Sequence, residues 1–205
     1  MDILQKSKNK QRRIGLTGGI ASGKTTITNY IRKHKNIPVL DADHLSRELI
    51  KPNTYGYKKI LDYFGNKIID HKNNSEREIN IKLLRNIIFK NSASKEWIEK
   101  LLHPLIKEKM IEECSQYKNN QTIVLVIPLL FEAKFEDICT ETWLVKCPKE
   151  LQKKRLIKRD KISEKEAYDL INLQLSFEEK RKFSDIILDN SDDQNKWINA
   201  IKELL

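Results

Sequence analysis

Eight residues near the N-terminus, Gly18-Gly19-Ile20-Ala21-Ser22-Gly23-Lys24-Thr25, fit the spacing G-x-x-x-x-G-K-[ST] of a P-loop. Glycines there let the chain turn tightly and aim successive backbone N–H groups at phosphate oxygens. A helix opening at the end of such a loop adds its positive N-terminal end. Lys24 is placed to reach the β- and γ-phosphates, the Thr25 hydroxyl to bind Mg²⁺, and the Thr26 hydroxyl to lie on the α-phosphate side. The chemistry on offer is the grip of a nucleoside triphosphate. A chance glycine-rich turn would lack what flanks this one: a short apolar run before it (residues 13–17) and Ile27, Tyr30 and Ile31 at helical spacing after it.

Four further groups could complete such a site. Asp41 and Asp43 stand one residue apart after a second apolar run, so in an extended segment both carboxylates point the same way. One could orient Mg²⁺ through water while the other accepts a proton from an attacking hydroxyl. Arg47, four residues beyond Asp43, shares its face if a helix starts at His44, and could clamp an anionic acceptor; the competing reading is a capped helix carrying a surface ion pair. Gln152, Arg155 and Arg159 share one helical face, with Lys153, Lys154, Lys158 and Lys161 around it. Arginines on such a helix could swing over a triphosphate as a lid or simply form a solvated basic face. His103 could hydrogen-bond a substrate or satisfy a helix end. Asn190 follows the last apolar run and could read a base or ribose, or be a turn residue.

These residues need elements to hold them. Pro38–Leu40, Ile123–Ile127, Trp143–Val145 and Ile186–Leu188 read as strands, together with residues 13–17. Ile123–Ile127 has five apolar residues in a row, which implies burial on both faces of a parallel sheet. Between the second and third strands some eighty residues read as wholly helical. Leu83, Leu84, Ile87 and Ile88 form one stripe; Ile98, Leu101, Leu102 and Leu105 form another. Pro104 predicts a helix boundary at His103. Pro148 predicts a helix start, Ser163-Glu164-Lys165-Glu166 a capping box, and Trp197, Ile201, Leu204 and Leu205 the buried side of a last helix. Strands alternating with helices predict a three-layer α/β fold, with the helical excursion as a subdomain. Trp97, Trp143 and Trp197 are expected in the core.

The chain has 205 residues, 39 of them Lys or Arg against 29 Asp or Glu, for a net charge of +10. That excess suits a polyanionic partner: nucleic acid, an anionic membrane or a phosphorylated small molecule. The longest apolar run, Ile123–Phe131, covers nine residues, well short of the roughly 20 a membrane span needs. The first twelve residues read as a basic mobile tail without the apolar core of a signal peptide. Cys114, Cys139 and Cys147 match neither a disulfide framework nor a zinc site, so a cytoplasmic location is expected.

The motifs together resemble those of the dephospho-CoA kinase family. The resemblance runs from about Ile14 almost to the C-terminus. It rests on LTGGIASGKTT (16–26), DADHLSREL (41–49) with Pro52, Phe64-Gly65, LLHPLI (101–106), IPLLFE (127–132), Gln152 through Arg155 to Arg159-Asp160, Gln174, and Ser184-Asp185 leading to Asp189-Asn190. It implies a P-loop kinase core with a parallel five-stranded sheet (13–50 and 120–205), a helical substrate subdomain (about 51–119) and a lid (about 149–175). It implies ATP-dependent phosphorylation of the ribose 3′-hydroxyl of dephospho-CoA, with Mg²⁺. Under it Asp43, Lys24 and Arg155 are the catalytic groups, and ATP is bound by Gly19, Ala21, Ser22, Gly23, Lys24, Thr25, Thr26, Arg159 and Asn190. Asp41, Arg47, His103 and Gln174 fall on the acceptor side, and Thr25 on the metal. Dephospho-CoA and ATP are then the partners, with no nucleic acid or membrane, for a monomer or weak homo-oligomer.

Two departures stand out. Ala21 replaces a usual glycine, which is tolerable at negative φ. Ile81 stands where the helical subdomain usually carries an Arg, removing a possible anion contact. Two rival readings are a kinase of nucleosides or nucleotides and a nucleic-acid-binding NTPase. The second lacks a helix-turn-helix, RNP motif or aromatic platform.

Overall fold

The computed structural model describes residues 11–70 and 77–205. Five strands, β1 (Arg12–Gly18), β2 (Val39–Asp41), β3 (Thr122–Val126), β4 (Glu141–Lys146) and β5 (Ile186–Asp189), form one parallel sheet in the order β2-β3-β1-β4-β5. The period of two along a strand sorts side chains between its faces. Ile14, Leu16, Val124, Val126, Trp143, Val145 and Leu188 share one face. Against them pack Ile27 and Ile31 of α1 (Lys24–Lys35) and Trp197 and Ile201 of α9 (Gln194–Leu204). Ile123, Leu125 and Leu144 on the opposite face are also buried, as the unbroken apolar run in β3 requires. On that face Gly15 leaves room for two side chains: a Cβ would lie 2.6 Å from Cys139 Sγ and 2.7 Å from Leu130 Cδ1, so both would have to shift.

The chain divides into two compact units. One runs to Asp41 and resumes over Cys114–Leu205; the other spans Ala42–Glu113. The second contains α2 (Ala42–Glu48), α3 (Tyr55–Phe64), α4 (Ile81–Lys90) and most of α5 (Ser92–Ser115). Its core gathers Ile50, Tyr57, Ile60, Phe64, Ile68, Ile79, Leu84 and Ile98. The first unit adds α6 (Lys149–Asp160), α7 (Glu164–Asn172) and α8 (Phe177–Arg181). Ser163 and Glu166 form both halves of the expected capping box on α7.

Several expectations need correction. The excursion is not wholly helical: Ile69 and Ile79 form an antiparallel bridge. Leu83 is exposed, and of its stripe Leu84 is the fully buried member. Pro104 does not end a helix; α5 runs through it. Proline there removes one N–H and frees the Lys100 carbonyl, and burial of Ile98, Ile106 and Met110 on either side outweighs that local loss. The basic tail does not reach residue 12. Gln11 is buried and donates to the Cys114 carbonyl at 2.9 Å, and Arg12 opens β1, donating to the Leu204 carbonyl at 2.9 Å. Residues 1–10 lie outside the described residues.

None of the three cysteines is joined in a disulfide, and burial pushes the Cys139 thiol up to about 12. Among the described residues no helix is long and apolar enough to cross a membrane.

Candidate active site

The loop between β1 and α1 lies at the carboxyl edge of the central strand, where open parallel sheets take ligands. Its turn is closed by the Ser22 amide donating to the Gly19 carbonyl at 3.1 Å, and α1 starts with Thr26 and Ile27 amides bonded to the Gly23 carbonyl. Lys24 Nζ lies back over the loop, donating to the carbonyls of Gly18 (2.7 Å) and Gly19 (2.9 Å). A phosphate exchanges those weakly charged acceptors for strongly charged ones. Thr25 and Thr26 are exposed on the first turn of α1. Ala21 does not meet the condition of a negative φ: it adopts φ +57°. The loop imposes the left-handed conformation regardless of residue type, which costs a side chain with a Cβ roughly 1–2 kcal/mol. Contact of Ile20 and Ala21 with the cluster of Leu156, Ala167 and Ile171 on α6 and α7 offsets part of that cost.

The Ser22 carbonyl is gripped from two distant places. Asn190, just past β5, donates to it from Nδ2 at 2.8 Å, and Arg155 of α6 donates from Nη1 at 3.3 Å. Trp197 Nε1 donates to Asn190 Oδ1 at 3.1 Å and so fixes which end of the amide faces the loop. Asn190 therefore does not present its side chain to a base, as the sequence suggested. Both of its ends are occupied, and it is 5% exposed. Gly23, at φ +100°, leaves the space Asn190 fills; a Cβ there would overlap Nδ2. Gly19 is opened in the same way for Gln152, which is buried and donates to the Cys147 carbonyl at 2.8 Å. Arg155 also approaches Cys147 Sγ at 3.5 Å; burial raises that thiol's pKa and the guanidinium opposes the rise.

Arg159 is exposed, and its guanidinium is paired with its neighbour Asp160 in a two-bond fork of 2.7 and 2.8 Å, which raises its pKa. Gln174 was expected on the acceptor side, but its Oε1 accepts from the Ile20 amide at 2.7 Å, so it braces the phosphate loop. Beside Gly19 a cavity of about 530 Å³ opens, bounded by Cys147, Gln152, Gln174 and Phe177.

Asp41 closes β2 and is in register with Val126 of β3, at the same edge of the sheet as the loop. Asp43 does not continue the strand. It lies in the first turn of α2, so the two carboxylates do not project from one extended segment. Asp43 and Arg47 are exposed on that helix, which begins at Ala42 rather than His44. His103 lies inside α5; burial lowers its pKa, against the opposing pull of Glu99. A lowered pKa keeps it neutral near pH 7, able to donate and accept hydrogen bonds. Trp197 and Glu132 were given no role in the site, and Gln152 only a place on the helical face it shares with Arg155 and Arg159. Gln152 and Glu132 stand within the sequence motifs quoted above, but nothing local in a sequence says that Gln152 fills the space over Gly19 or that an indole orients Asn190.

The dephospho-CoA kinase family profile matches residues 12–196. The chain belongs to the dephospho-CoA kinase family. It is 87% identical over 205 residues, all of both chains, to the dephospho-CoA kinase of Prochlorococcus marinus (strain MIT 9312). Its fold matches the dephospho-CoA kinase of Campylobacter jejuni with a TM-score of 0.68 at 29% identity, over 95% of this chain and 97% of that one. It also matches TT1252 from Thermus thermophilus with a TM-score of 0.79 at 27% identity, over 95% and 96% of the two chains. Membership makes ATP the phosphoryl donor and selects dephospho-CoA over the nucleoside acceptors weighed from sequence. The chain is thus an enzyme of the last step of coenzyme A synthesis.

Proposed function

We propose that the chain performs this transfer as an in-line displacement at the loop 18–26, with Asp43 as the base. The carrying observation is the loop's construction: Asn190 and Arg155 hold the Ser22 peptide by its carbonyl. This fixes the loop amides before any ligand arrives, and donors fixed in advance need no reorganisation as charge develops. Lys24 leaves the Gly18 and Gly19 carbonyls for the β- and γ-phosphate oxygens. Arg155, and Arg159 on leaving Asp160, neutralise the migrating group. The Arg159–Asp160 pair is exposed, so its release costs about 1 kcal/mol or less.

The Thr25 hydroxyl fits Mg²⁺: it is exposed on the first turn of the helix that the phosphate loop opens. When bound, Mg²⁺ neutralises charge on the β- and γ-phosphate oxygens. Asp43 is two residues beyond Asp41, and so within about 7 Å of it along the chain. From there it takes the proton of the ribose 3′-hydroxyl, while Asp41 and Arg47 orient the acceptor and neutral His103 supplies a hydrogen bond. Net charge supports the reading, since both substrates carry more than one phosphate and the protein carries +10.

ADP release measured with and without dephospho-CoA tests the acceptor. A rate that depends on dephospho-CoA is expected, and equal rates would overturn it. Asp43→Asn is expected to lower kcat by about a hundredfold or more while ATP still binds. Wild-type turnover in that variant would remove Asp43 as the base.

A further inference from the structure

Behind the phosphate loop three chain segments are tied together by groups to which the transfer reaction gives no part. Glu132 lies in the loop after β3. Its Oε1 accepts from Lys180 Nζ of α8 at 2.9 Å and from the Leu175 amide at 3.1 Å. The Lys180 side chain is 1% exposed and that of Glu132 19%, and Lys180 also donates to the Pro128 carbonyl at 3.2 Å. Glu132 Oε2 is buried with no hydrogen-bond partner among the described residues. Next to Leu175, Gln174 accepts from Ile20 of the phosphate loop. Residues 173–176 form the joint between α7 and α8, where the α6–α7 arm, carrying Arg155, returns to the sheet.

A buried ion pair is a poor source of stability, because desolvation consumes most of the attraction and two apolar side chains of similar size do as well. A half-satisfied carboxylate is poorer still. What the pair does supply is position. It holds the Leu175 amide at a fixed point, and the adjoining residue holds the Ile20 amide.

We propose that Glu132, with Lys180 as its counter-charge, is a positioning residue for phosphoryl transfer. Through Leu175 and Gln174 it sets the tip of the phosphate loop and the stance of the Arg155 arm over it. The proposal rests on the reading that the loop holds ATP.

The test uses the full chain and compares Glu132→Leu/Lys180→Met, Gln174→Met and the three changes combined. The apolar pair is expected to unfold thermally close to the parent, yet to lose about tenfold or more in kcat/KM for ATP. Gln174→Met is expected to lose a similar factor. The combination is expected to be no more than about twofold worse than the poorer of the two, because both act on one contact. A folded apolar pair with kcat/KM within about twofold of the parent overturns the proposal, as do losses that multiply. Should the apolar pair fail to fold, Glu132→Gln, combined with Gln174→Met in the same way, decides the question. Dephospho-CoA-dependent ADP release by the unaltered enzyme, measured alongside, separates failure of this proposal from failure of the kinase reading.

Discussion

A side chain at Gly23 would collide with the amide that braces the loop, and the collision has a measurable consequence. Gly23→Ala must either push Asn190 off the Ser22 carbonyl or shift the loop, and its φ of +100° is strained for alanine in any case. ATP affinity is expected to fall about tenfold or more, an outcome titration calorimetry would register. Trp197→Phe is the milder counterpart: it keeps the ring in the core but removes the N–H that orients Asn190. Stability should fall by about 1–2 kcal/mol, because Asn190 Oδ1 is left buried without its donor. Denaturant unfolding would measure that loss. At this scale the sequence was legible where a residue type has one use. The glycines of the phosphate loop, between a strand and a helix, could be given places from spacing alone. Asn190 could not, because what it touches, Ser22 and Trp197, is settled by folding and not by its neighbours in the chain. The φ of Ala21 was out of reach for a related reason: the loop's closure, not the residue's preference, decides it.

Elements were legible in proportion to their burial. The continuous apolar run Ile123–Ile127 could only be a strand covered on both sides, and β3 is one. The α5 helix shows the limit, since local rules stop it at Pro104 while burial carries it on. Restoring the missing N–H tests that balance. Pro104→Ala should stabilise the protein by about 1–2 kcal/mol, the gain in helix propensity less the extra freedom returned to the unfolded chain. An unchanged denaturation midpoint would mean that the Lys100 carbonyl already has a substitute partner. The same helix carries a titration effect. Burial lowers the pKa of His103 below its unfolded value of 6.5, so between the two values the unfolded chain binds the extra proton. Stability should therefore decline as pH falls through 6.5 towards the lowered value. In His103→Gln that part of the decline should be absent, as paired thermal melts across this range would reveal.

For the molecule as a whole, the excess of 10 positive charges acts on two polyanionic substrates at once. Raising ionic strength from about 0.01 M to 0.15 M shortens the screening length from about 30 Å to 8 Å. The expected result is a fall in kcat/KM for both substrates with kcat largely retained, since encounter is screened more than contacts made at bonding distance. A salt series at saturating and at limiting substrate separates the two quantities. Charge and the alternation of strands with helices made the fold class and a phosphate-bearing ligand legible. The boundary of the helical unit at Ala42 was not, because α2 follows β2 with no turn residue to mark the change.

The brace on the Ser22 carbonyl has a consequence for how the protein is made. The loop leaves the ribosome well before its braces, since Asn190 follows Ser22 by 168 residues and Trp197 comes later still. Until α9 emerges, the nascent chain carries the glycine-rich motif without the contacts that fix its Ser22 carbonyl. The loop thus stays unbraced until translation has passed residue 197.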